Sequence, residues 1–366
     1  MPSETRRSWV QRARRAAFAV LWSVLAAEMF LRVLAPVAFL PRYVDGTDFG
    51  VRCNSASLSY WHSTPEYRVQ IRTNARGIRA DREFPYEKPA GTRRIVVLGD
   101  SYGLGYGVDL EDTFLAEMQR RLGAAGADCE VINLSVSGFG NAEELIQLQN
   151  EGFRYEPDLV LVAWHSSDFT DNIRSNLFKL DASGGVERVA SSYLPGLKLR
   201  KRLAGYSAYR WIAGNSHLYV WSREFLARVV KAALFRLKKG SNDEPAGPAD
   251  APWEARFYPN PFEATGELTI AILRTMKSEC RARGAELLIL DIPDHSSRTD
   301  FNSRFPRSPD GASFDLDVVS PLQLFDRERG NVLFWERSHR HMTPLACRMT
   351  GEVLADRILE TGILAD

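Results

Sequence analysis

Two segments carry residue types that can do chemistry together: Gly99-Asp100-Ser101, and Ser338-His339-Arg340-His341-Met342-Thr343-Pro344. A serine hydroxyl attacks a carbonyl effectively when a base takes its proton and N–H donors receive the oxyanion. Ser101 offers the hydroxyl and His341 the base, with His339 as the local rival for that role. Two further segments supply polar groups. Gly138, in Ser137-Gly138-Phe139, offers a backbone N–H, and Ser167, in His165-Ser166-Ser167-Asp168, a hydroxyl that donates one hydrogen bond. Asp168, Asp171 and Asn172 suit helix capping or loop support better than catalysis, and His165 suits a packed strand end. The competing use of residues 99–107 is a phosphate-binding turn. No P-loop lysine follows, and Gly103, Gly105 and Gly107 do not match a dinucleotide fingerprint.

These groups act together only if a scaffold brings them to one edge. Arg94-Ile95-Val96-Val97-Leu98 is a short apolar run that ends at Gly99, the pattern of a buried parallel strand entering a tight loop. Residues 111–122 space Phe114, Leu115, Met118 and Leu122 as one helix face. A second strand is expected over 129–134, a helix over 142–151 and a third strand over 158–164. A helix over 268–283, a strand over 286–291 and a closing helix over 344–361 follow. Alternation of this kind predicts an α/β fold: a three-layer, doubly wound parallel sheet. Ligands bind such sheets at the carboxyl edge. Ser101, Gly138 and the His165–Asn172 segment all follow strands, and the His341 loop precedes the last helix.

On these residues the chain resembles the SGNH (GDSL-like) hydrolases, in the form of their membrane-anchored bacterial members. Gly99-Asp100-Ser101 matches the family's nucleophile block, Gly138 its isolated glycine, and His341 its final histidine; Arg72-Thr73-Asn74-Ala75-Arg76-Gly77-Ile78-Arg79 resembles the lead-in of the anchored members. The resemblance covers most of 65–175 and 330–360. It implies a serine esterase or acyltransferase acting on small acyl esters, with acetyl groups on a surface polysaccharide as one substrate, and no metal or organic cofactor. The Ser101 N–H, the Gly138 N–H and the Ser167 hydroxyl would then hold the oxyanion. Two positions depart from the pattern. The family's Gly-x-Asn-Asp reads His165-Ser166-Ser167-Asp168, and the acid three residues before the histidine is Ser338; Glu336 is the nearby carboxylate. These departures support a second reading, a catalytically impaired domain of this fold that binds a glycan or a protein partner.

The composition fits a globular chain: 366 residues, 45% hydrophobic and 25% charged. A net charge of +1 gives no argument for nucleic acid. Cys53, Cys129, Cys280 and Cys347 lack metal-ligand spacing and read as small, mostly buried hydrophobes. At the N-terminus, Arg6, Arg7, Arg12, Arg14 and Arg15 precede an apolar stretch from Ala16 toward Leu40 that contains Glu28 and Arg32. The expected organisation is a basic tail and uncleaved signal-anchor helix over 1–40, a lead-in over 41–90 and a hydrolase domain over 91–366. The basic side would stay cytoplasmic, which makes a single-pass membrane protein with an extracytoplasmic hydrolase domain. That domain is interrupted at about 185–262 by a helical insertion. Within it, a basic helix from Tyr219 to Lys239 reads as a solvated face, with lipid binding near the anchor as the alternative, and residues 240–248 as a loop.

Overall fold

Aliphatic runs build the centre of the protein. In the computed structural model, the structure describes residues 3–35, 44–194, 199, 202–203, 205–223, 225–226, 261–308 and 313–364. The chain divides into two units. One contains Met1–Pro41, Ser63–Pro65 and Lys198–Glu244; the other contains Arg42–His62, Glu66–Leu197 and Pro245–Asp366.

The second unit holds a five-stranded sheet. Its strands are β1 (Arg93–Gly99), β2 (Cys129–Asn133), β3 (Leu159–Trp164), β4 (Glu286–Asp291) and β5 (Asp317–Val319). They lie in the order β2-β1-β3-β4-β5 and every pairing is parallel. The register sets Gly99 beside Ala163 and Val97 beside Asn133. The chain therefore reverses its direction of winding between β1 and β3. The crevice outside a parallel sheet at such a switch point is where ligands bind.

Burial on both faces explains why β1, β3 and β4 are unbroken apolar runs. Alternate residues serve opposite layers. Val96, Leu98, Val160 and Val162 pack with Leu145 and Leu148 of helix Asn141–Asn150 and with Ile272 and Met276 of helix Pro261–Arg281. Ile95, Val97 and Leu161 face the other way, onto Met118 and Leu122 of helix Phe114–Ala124 and Leu354 and Ile358 of helix Pro344–Thr361. The result is the expected three-layer, doubly wound fold.

The segment over 41–90 is more structured than its polar sequence suggests. Val44–Gly46 pairs with Arg52–Asn54, and Ser59–Ser63 with Arg68–Arg72. No disulfide joins the four cysteines; Cys280 and Cys347 are buried, Cys53 and Cys129 half-buried.

In the first unit, Ser3–Leu34 is one helix, and its span Gln11–Leu34 is long and apolar enough to cross a membrane. Glu28 and Arg32, one turn apart, form an ion pair of 2.9 Å. Residues 36–40 of the expected anchor lie outside the described residues. In the insertion, Ser207–Asn215 is a helix and 217–223 are helical. The rest of the expected basic helix to Lys239 and the loop over 240–248 lie outside the described residues, apart from helical 225–226.

Candidate active site

Strand β1 delivers the turn that carries Ser101. The Asp100 carboxylate accepts the Tyr102 N–H at 2.7 Å and caps the short helix Ser101–Leu104. Gly105, in the left-handed region at φ 79°, ends that helix; a Cβ there would press into the Thr113 side chain. The carbonyls of the turn are held from outside. Asn133 Nδ2 donates to the Gly103 carbonyl at 2.9 Å. The Arg79 guanidinium, 2% exposed, donates to the carbonyls of Leu104, Gly105 and Val108 at 2.8, 2.6 and 2.7 Å. A buried cation aimed at three carbonyls neutralises the negative end of the short helix and fixes the loop that carries Ser101.

The histidine loop is built differently. Phe334 and Met342 form an antiparallel bridge, and Trp335 N–H donates to the His341 carbonyl at 2.9 Å. Between them, His339 and Arg340 turn in left-handed backbone, at φ 63° and 55°, a conformation uncommon for side-chain-bearing residues. Thr343 then caps the closing helix through its side chain. This loop directs His341, not His339, at Ser101: His341 Nε2 lies 2.8 Å from Ser101 Oγ. The His339 ring lies 6.4 Å from that of His341 and stacks on His62 at 6.3 Å.

The other imidazole nitrogen is the anomaly. His341 Nδ1 is buried and, among the described residues, has no hydrogen-bond partner. Ser338, where the family would place its acid, is fully buried with an unpartnered Oγ. Glu336 is turned elsewhere: its exposed carboxylate pairs with Arg298. Burial, then the neighbouring His339, His62 and His165, pushes the His341 pKa down to about 3. The imidazole is therefore neutral at neutral pH, the form in which Nε2 can accept a proton.

The third strand completes the surroundings. His165 Nδ1 lies 2.8 Å from Ser167 Oγ, and His165 Nε2 lies 3.2 Å from Asp294. Ser167 Oγ also donates to Asp100 Oδ2 at 3.2 Å, so its single proton already has a use inside the turn. Asp168 is wholly buried, receives Asn141 Nδ2 at 3.1 Å, and has its pKa raised well above the usual range by burial and then by Glu144. Asn172 accepts the Ala142 N–H at 2.8 Å and joins the two helices that follow β2 and β3. Gly138 is left-handed at φ 77°, and its carbonyl accepts Arg52 Nη2 at 2.5 Å.

Three residues here are not marked as site residues by their local sequence. Tyr102 lies between two imidazoles, its ring 4.4 Å from His165 and 4.9 Å from His341, with its hydroxyl on the Arg340 carbonyl at 3.0 Å. His62 is fully buried with both ring nitrogens unpartnered, against Tyr67 and Tyr106. Arg79 is the third. Only Arg79 fell in a recognisable segment. Beside the histidine loop is a cavity of about 190 Å³ whose lining includes His295, Phe301, Phe334 and Arg340. Among the described residues, no cluster of His, Cys, Asp and Glu is suited to a metal ion.

No family model matches the chain. It is 26% identical over 176 residues to an arylesterase of Vibrio mimicus, across 45% of this chain and 86% of that protein. Among solved structures it is similar to TesA (14% identity, 74% of this chain and 98% of that one, TM-score 0.34). It is also similar to the acetyl xylan esterase AlAXEase (11% identity, 72% and 99%, TM-score 0.37). A lipase/acylhydrolase from Enterococcus faecalis gives 14% identity, 74% and 97%, and a TM-score of 0.37. The fold assignment rests on strand order and on the positions of the motifs along the sheet edge.

Proposed function

We propose that this chain, which has the fold of the SGNH (GDSL-like) hydrolases, cleaves ester bonds with Ser101 as nucleophile and His341 as base. The observation that supports this most strongly is the 2.8 Å approach of His341 Nε2 to Ser101 Oγ at the carboxyl edge of the sheet. Ser101 Oγ attacks the acyl carbonyl while His341 Nε2 takes its proton. The Ser101 and Gly138 N–H groups receive the oxyanion. Because Ser167 donates to Asp100, its contribution is to hold the turn. His341 next returns the proton to the leaving alkoxide, and the acyl group remains on Ser101. A water then gives its proton to His341 and attacks the acyl-enzyme, which frees the acid and restores the serine.

The substrate class we assign is a small acyl ester, such as an acetyl group on an extracytoplasmic polysaccharide. The fold domain would stand outside the cytoplasm on the anchor helix. A glycan hydroxyl in place of water would make the same centre a transferase.

One observation favours a second reading. His341 Nδ1 lacks any partner, and loss of the orienting acid alone costs about 10⁴ in rate in a serine protease. A domain that binds an acylated glycan without turning it over would tolerate that loss. Hydrolysis of p-nitrophenyl acetate and acetate release from an acetylated polysaccharide separate the two. The proposal expects turnover by the native chain that Ser101→Ala reduces by at least about 10³. Turnover that survives Ser101→Ala refutes it, and binding of the polysaccharide without turnover establishes the second reading.

A further inference from the structure

The N-terminal helix contains a carboxylate and a guanidinium where a membrane span would carry neither without a reason. Within its own unit, that reason is visible. Glu28 accepts hydrogen bonds from Ser216 Oγ at 2.9 Å, His217 N–H at 3.1 Å and Leu218 N–H at 2.9 Å. Arg32, paired with Glu28, donates to the Asn215 carbonyl at 2.6 Å. The four groups engaged are the end of helix Ser207–Asn215 and the start of the helical residues 217–223. They are backbone groups left over at helix ends, together with the serine between them. In water, solvent would satisfy them. In hydrocarbon each would cost several kcal/mol if left alone.

The two short helices are tied to one another by Tyr209 and Tyr219, whose hydroxyls are 2.9 Å apart and whose rings meet edge-on. Val220 is buried. Most of the other large apolar side chains are exposed. Trp211 is 66% exposed, Trp221 46% and Phe225 53%, with Tyr206, Ile212 and Leu226 exposed as well. Trp221 and Phe225 stack at 5.4 Å. Residues 205–226 include Arg210 and Arg223 and a single carboxylate, Glu224. Outward aromatics interleaved with arginines are the pattern of a segment at the boundary between headgroups and acyl chains.

We propose that residues 205–223, with Phe225 and Leu226, form a helical pair seated in the extracytoplasmic leaflet of the bilayer and docked on the anchor helix through Glu28 and Arg32. The inference rests on the reading that this helix spans a membrane. Its depth follows from the docking point. Glu28 lies six residues before Leu34, about 9 Å along the axis at the rise of an α-helix. The junction at Asn215–Leu218 is thus held below the outer end of the span, and Arg32 turns back onto it through Glu28 and the Asn215 carbonyl. The occupant of the exposed aromatic face is lipid, because the pair is hydrogen-bonded to the span through Glu28 and Arg32 and the span's own Trp22, Met29 and Phe30 are exposed as well.

The test uses the full chain in proteoliposomes and compares it with Trp211→Phe/Trp221→Phe. Phenylalanine keeps the apolar face, and equal p-nitrophenyl acetate turnover or equal circular dichroism verifies folding. The difference in emission between the two proteins reports Trp211 and Trp221. Bromine on the acyl chains is expected to quench that difference at least twofold, and aqueous iodide to leave it nearly unchanged. A difference quenched by iodide and indifferent to bromolipid overturns the proposal. An alkaline carbonate wash separates the two failures. A chain that washes off the vesicles refutes the anchor and the docking together, whereas a retained chain with iodide-quenched tryptophans refutes the docking alone.

Discussion

The two halves of the candidate site are built to different standards. On the nucleophile side, hydrogen bonds from distant parts of the chain fix the turn: Asp100 holds its start, while Asn133 and the buried Arg79 hold its carbonyls. On the histidine side, the loop passes through two left-handed residues, the imidazole rests against Tyr102, and Nδ1 faces no partner. The first half is held by directional bonds and the second mainly by packing. Ring packing restrains an imidazole's plane, but it neither selects a tautomer nor stabilises the imidazolium that forms in the transition state, as a carboxylate does. A centre of this design keeps its geometry while losing part of its rate.

Removing Arg79 should break this comparison most severely. Arg79→Met leaves three carbonyls without their buried donor and is expected to cost about 3–5 kcal/mol of stability, at about 1–3 kcal/mol for each buried acceptor left unsatisfied. Ester hydrolysis should fall with it, and thermal unfolding beside a rate assay checks both. Little change in either would mean the nucleophile turn holds itself.

The converse experiment strengthens the weak half. Ser338→Asp places a carboxylate at a buried position whose present hydroxyl has no partner. The expected gain in kcat/KM is about tenfold, a part of the roughly 10⁴ that an orienting acid contributes elsewhere. It should come with a small loss of thermal stability from burying the acid. An unchanged rate would show that orientation of His341 does not limit the chemistry.

The smallest expected effect concerns pH. Burial pushes Glu143 and Glu144 up to about 8. Folded pKa values above the unfolded ones favour the fold at pH below about 4.5, and that contribution disappears as pH rises toward 8. Glu144→Gln should therefore flatten the fall of Tm between pH 5 and pH 9 by a few degrees, without shifting it in the opposite direction. Buried His341 has the reverse sign, since its depressed pKa of about 3 weakens the fold as pH falls from 6.5 toward 3. A Tm that rises from pH 5 to pH 9 in the native chain would contradict the assignment of the glutamates.

Legibility in the sequence follows the same division. Strands β1, β3 and β4 were plain because burial on both faces demands continuous aliphatic runs. Asp317-Val318-Val319 is too short and half-buried to leave that mark. The pairs within 41–90 were hidden for a related reason: they are short, and only scattered residues such as Val51, Val69 and Ile71 are buried. At the site, Ser101 stood out because strand, turn and glycine neighbours agree with one another. His341 needed the family resemblance to set it ahead of His339. Arg79, Tyr102 and His62 take their importance from burial against segments far away in the chain, which no local pattern records. The sequence also suggested Glu336 as the nearby acid, but an exposed carboxylate with Arg298 within reach pairs there instead.

The central claim is that His341, and not His339, activates Ser101. Covalent labelling by a fluorophosphonate, located by mass spectrometry and timed, tests it directly. The account predicts a single adduct on Ser101, formed at least about 10² times more slowly in His341→Ala and at nearly the native rate in His339→Ala. An adduct on another serine, or fast labelling in His341→Ala with slow labelling in His339→Ala, would contradict it.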